Sequence, residues 1–127
     1  MQKLLKIFLI SISVFLLSNF QSDNKRLNFS LKNSTNLVLL DVNVELVGTK
    51  ISYPSLAPQS QTKWVKVKSA YSFGAIKFRD NKKREYILKP KDYSGEKLIS
   101  TGNLTYVIKS IDTLSKKIVL DHLLTLK

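Results

Sequence analysis

The chain has 127 residues and no cysteine. Neither a disulfide framework nor a lipidated cysteine is available, and the fold has to be held by its core alone. Histidine is nearly as scarce. The one residue, His122, stands beside Asp121, and neighbouring side chains on a strand point to opposite faces, so the two do not make a base with its orienter. Metal chemistry lacks a ligand set for the same reason: nine carboxylates are scattered along the chain without a binding spacing. The four glycines, Gly48, Gly74, Gly95 and Gly102, build no phosphate-cradling loop. These absences argue for a protein that is not an enzyme and carries no cofactor.

Acidic residues number nine against 21 basic ones, and only three of the 21 are arginine: Arg26, Arg79 and Arg84. Arginine is the side chain suited to bidentate reading of phosphates and base edges, whereas lysine is a flexible point charge. The excess of lysine therefore speaks against nucleic acid as the partner.

A long hydrophobic run is also missing. Residues 7–17, IFLISISVFLL, follow Lys3 and Lys6 and give way at once to SNFQSDNKR. A membrane-crossing helix needs roughly 20 apolar residues. The basic flank and shorter apolar stretch fit a secretory leader, assigned to residues 1–22, which leaves residues 23–127 as one domain with no transmembrane segment. Export without disulfides points to the bacterial cell envelope: the periplasm, the outer envelope or the extracellular side.

What remains is rich in short alternating runs. In RLNFSLK, Leu27, Phe29 and Leu31 share a face; in LVLLDVNVELV, Leu40, Val42, Val44 and Leu46 point inward and Asp41, Asn43 and Glu45 outward. TKISYPSLAPQSQ predicts a short edge strand near Ile51 and a loop over residues 54–61, because proline suits an edge. Val65 and Val67 alternate with Trp64, Lys66 and Lys68, while Ile76 and Phe78 alternate with Lys77 and Arg79. DNKK, residues 80–83, supplies a turn into REYILK; EKLIS, LTYVIKSI and IVLDHLLTLK complete the set. Seven to eight strands with regular turn signals predict an all-β fold, a small antiparallel β-sandwich of immunoglobulin-like arrangement.

Residues 63–91 hold ten basic and two acidic side chains, a net charge of +8. If the strands around Val65 and Ile76 are neighbours, Trp64, Phe73, Lys66, Lys68, Lys77 and Arg79 share an outer face, and Lys82 and Lys83 extend it into a hairpin tip. Large outward aromatics are costly unless something covers them. These eight residues are the candidate binding site. The partners they suit are another envelope or secreted protein, an anionic lipid headgroup or an acidic polysaccharide, reached through the basic face or through an unpaired edge strand. A second class is a small inhibitor or immunity-type protein that blocks an enzyme with a loop or the hairpin tip.

Overall fold

A computed structural model describes residues 25–126, so the leader assigned to residues 1–22 lies outside the described residues. Among them are eight strands and no helix: β1 (Leu27–Asn33), β2 (Leu39–Leu46), β3 (Thr49–Leu56), β4 (Val65–Val67), β5 (Ala75–Arg79), β6 (Glu85–Leu88), β7 (Gly102–Asp112) and β8 (Lys117–Thr125). They form two four-stranded sheets, one ordered β4-β1-β7-β8 and the other β3-β2-β5-β6. No helix here is long and apolar enough to cross a membrane.

The alternation seen in the sequence becomes the packing between the layers. Leu27, Phe29 and Leu31 from β1, and Leu104, Tyr106 and Ile108 from β7, meet Val42, Val44, Ile76, Phe78 and Tyr86 of the other sheet in one core. Phe29 meets Tyr106 edge to face at 5.0 Å, and Phe78 stacks on Tyr86 at 5.3 Å. These rings exclude water from the centre and add a preferred mutual orientation to the burial itself. The Tyr106 hydroxyl donates to the backbone carbonyl of Tyr71, 2.6 Å away, which ties the segment between β4 and β5 to the core. Gly74 lies in that segment, where a Cβ would stand 2.7 Å from the Glu45 carbonyl oxygen, so the close approach requires glycine.

Several expectations need correction. The sheets are mostly but not wholly antiparallel, since β1 and β7 pair in parallel from Leu27 opposite Gly102 to Asn33 opposite Ile108. Period-two alternation is identical in both senses and does not report strand direction. β3 runs on through Pro54 to Leu56 where a loop was expected; it is an outer strand, and only its inner neighbour β2 needs its N–H groups. EKLIS forms no strand and contributes a single bridge between Ile99 and Ala70. In β2 a register shift between Leu40 and Asn43, with Asp41 at φ 49°, breaks the alternation: Leu39 is fully buried and Leu40 only partly. Aspartate tolerates this backbone region better than most residues, and such a bulge moves one residue across the strand.

Candidate functional site

The structure divides the eight candidate residues among four places. Trp64, Lys66 and Lys68 lie in or beside β4, at the outer edge of the first sheet, whereas Lys77 and Arg79 lie on β5, between β2 and β6 in the second. β4 and β5 are therefore not neighbours, and the single basic face that required it does not form. The chain crosses from one sheet to the other over residues 68–74. Phe73, in that crossing, is half-buried and stacks on Tyr93 at 5.4 Å, with Tyr71 against the same ring at 4.5 Å. It belongs to an aromatic cluster formed with the loop after β6. Burial, and then the nearby carboxylate of Glu45, push the Tyr93 phenol above its usual range.

The outward charges on β5 are matched locally. Arg79 forms an ion pair with Asp41 of β2, and Lys77 lies 3.8 Å from Glu85 of β6. Asn43 accepts a hydrogen bond from Ser52 in the same surface row. This face is polar and balanced rather than a field of one sign.

Lys82 and Lys83 sit at the β5–β6 hairpin tip, and the residue that shapes the tip is Asp80. Its carboxylate is buried and accepts four hydrogen bonds: from the amides of Lys82 and Arg84, from the Arg84 guanidinium at 2.7 Å and from the Tyr86 hydroxyl at 2.9 Å. Desolvation alone would raise its pKa, but those donors together outweigh it and hold the group near about 2. Lys83 occupies the left-handed region at φ 63°. The tip is thus a preformed loop that presents two lysines. A turn was legible at DNKK; that its aspartate is a buried acceptor was not, because Tyr86 reaches it only once β6 has folded back.

The β4 flank differs from the rest of the surface. Trp64 is 51 % exposed, and among the described residues no carboxylate comes within ion-pair distance of Lys63, Lys66 or Lys68. Residues 61–67 run antiparallel beside β1: Gln61 bridges Lys32, the Thr62 amide donates to the Leu31 carbonyl, and Val65 and Val67 stand opposite Phe29 and Leu27. Val67 is buried as its place in the alternation requires. Val65 faces the same way yet is 37 % exposed, contrary to expectation, because it lines an open cleft. A cleft of about 420 Å³ is left between the β3 and β4 edges, lined by Tyr53, Ser55, Gln61, Thr62, Lys63 and Val65. The sequence reading placed Val65 in the core and did not single out Tyr53 or Lys63 as site residues.

The opposite flank carries β8, an outer strand nine residues long whose far edge pairs with no other strand among the described residues. Val119, Leu123, Leu124 and Leu126 are exposed there. His122 is exposed too, and Asp121 accepts its main-chain amide at 2.8 Å while lying 3.7 Å from Lys109.

No protein-family model matches this chain. No curated protein matches it either. Among solved structures, an NMR structure of a protein from Eubacterium rectale resembles it with a TM-score of 0.52 and 9 % sequence identity, over 81 % of this chain and 91 % of that one. At that identity the likeness concerns the fold alone, which for this chain is an all-β pair of mostly antiparallel four-stranded sheets around a shared core.

Proposed function

We propose that this chain is an exported, non-enzymatic binding protein of a bacterial envelope that takes an acidic partner on the flank carrying β4. The observation that carries the reading is Trp64, half exposed just before the outer strand β4 among Lys63, Lys66 and Lys68, none of which has a carboxylate partner among the described residues. An exposed indole flanked by unmatched cations offers both apolar contact area and long-range attraction to a negative partner. The basic flank and length of the apolar run at residues 7–17 support export. The immunoglobulin-like type belongs to this proposal as well, supported by two four-stranded layers around one core.

Binding of fluorescent polyglutamate to the domain, followed by anisotropy between about 50 and about 300 mM salt, tests it. Binding is expected to weaken as salt rises, to be abolished by Lys66→Glu with Lys68→Glu, and to survive Lys77→Glu on the balanced face. Equal loss in both variants would assign the effect to net charge and remove the flank from the proposal.

One observation favours a second reading, the plug that blocks an enzyme. The Asp80 latch holds Lys82 and Lys83 in a fixed loop, and a preordered loop loses less entropy on insertion into a cleft. Under that reading Lys82→Ala with Lys83→Ala, and not the β4 pair, removes binding.

A further inference from the structure

The cleft on the β4 flank contains an unmatched polar group. The Tyr53 hydroxyl is buried and has no hydrogen-bond partner among the described residues. A buried donor in this state loses its water without recompense, and such groups are uncommon in folded proteins. Beside it, β4 ends its sheet, so the main-chain groups on the outer side of residues 63–67 face away from β1, with no strand beyond them among the described residues. Side chains alternate across this edge, with Lys63 and Val65 lining the cleft and Trp64 and Lys66 on the other face.

From these three features we infer that an extended acidic peptide adds to β4 as a further strand of the first sheet, and that on binding the Tyr53 ring turns out of its closed position so that its hydroxyl, shut off from solvent in the free protein, donates its proton to a main-chain carbonyl of that peptide. Strand addition draws affinity from main-chain hydrogen bonds and selectivity from the pockets that alternate side chains enter. Here the inward positions meet Val65 and the ring of Tyr53 and suit aliphatic side chains. The outward positions meet Lys66 and Lys68 and suit carboxylates. The peptide this edge fits alternates the two. An acidic polysaccharide or an anionic membrane would use the lysines but has no amide ladder to offer β4. The inference rests on the reading of this flank as the binding surface and adds to it the chemical class of the partner.

The test uses three probes on the full domain: a labelled peptide alternating valine and glutamate, polyglutamate of equal charge, and an acidic polysaccharide such as polygalacturonate. The wild-type protein is expected to bind the alternating peptide most tightly and to slow amide hydrogen exchange at residues 63–67 on doing so. Tyr53→Phe removes one oxygen atom and keeps the ring. It is expected to weaken the alternating peptide by about tenfold, the worth of one hydrogen bond, to leave polyglutamate unchanged and to leave Tm equal or higher. Unchanged affinity of Tyr53→Phe, or a lower Tm, would overturn the inference while leaving the basic flank standing. Preference for the polysaccharide would do the same. Absence of wild-type binding to every probe, or binding that Lys66→Glu with Lys68→Glu leaves unchanged, would instead bring down the parent reading.

Discussion

The two edges of the first sheet, β4 and β8, solve the problem of an exposed sheet edge in opposite ways. β4 is three residues long, contains Lys66 and is flanked by Lys63 and Lys68, whereas β8 is nine residues long and exposes Val119, Leu123 and Leu124, with Leu126 exposed just beyond it. Lysines on a short edge deter pairing with another copy of the same positive chain, yet they attract a negative strand. β8 has a lysine only at its start, Lys117, and none along its far half. Its one carboxylate, Asp121, is already matched by Lys109, and the exposed leucines are the kind of surface on which strands associate without selectivity. One edge is therefore selective by charge and the other is permissive.

The contrast between open and covered positions on the same strand gives the largest expected effect. Val67→Asp places an unpaired carboxylate against Leu27 inside the core and is expected to abolish cooperative unfolding, whereas Val65→Asp, two residues away and open to the cleft, should fold with a Tm close to that of the wild type. Thermal melts of the two variants decide it. Equal damage would mean that the cleft beside Val65 is closed.

The hairpin tip comes next. Asp80→Asn keeps the shape but loses charge-assisted acceptance from Arg84, and Tm is expected to fall on the order of ten degrees. The linkage has a definite sign. Because the Asp80 pKa is depressed from 3.8 to about 2, its stabilisation is present above about pH 4 and is lost as pH falls towards 2. Asp112 and Asp121, lowered by hydrogen bonds from Ser115 and from the His122 amide respectively, act in the same direction. Tm measured from pH 6 to pH 2 should drop more steeply for the wild type than for Asp80→Asn; parallel curves would assign the acid sensitivity to the other carboxylates.

The smallest effect on stability belongs to β8. Leu123 is 59 % exposed, so Leu123→Lys should change stability by no more than about 0.5 kcal/mol. It should nonetheless reduce concentration-dependent association in sedimentation experiments, because it gives β8 the guard that β4 has. No change in association would show that β8 is not the permissive edge.

Much of this fold was legible from alternation. The runs around Phe29, Val44, Phe78 and Tyr106 became strands with the expected residues inward except Leu40, and the DNKK turn stands where it was read. What was not legible depends on residues far apart in the chain. Arg79 is neutralised by Asp41, 38 positions away, and the Ser30 hydroxyl meets Thr105 across 75. Phe73 has the spacing of a strand residue, but its ring lies against Tyr93 because the chain changes sheets there. The same hydropathy that marked IVLDHLLTLK as a strand does not reveal that little covers its far half.

The order of residues by itself determined that this is a cysteine-free, lysine-rich chain of short β-strands, because alternation with period two is a local property of each segment. Only the tertiary structure decided which strands share a sheet, that β1 and β7 run parallel, and that Val65 is open while Val67 is not. An alternating pattern states which side chains point the same way. What lies on that side, core, cleft or water, is set by strands distant in the chain, and neither of the two flanks compared above could be drawn before those strands met.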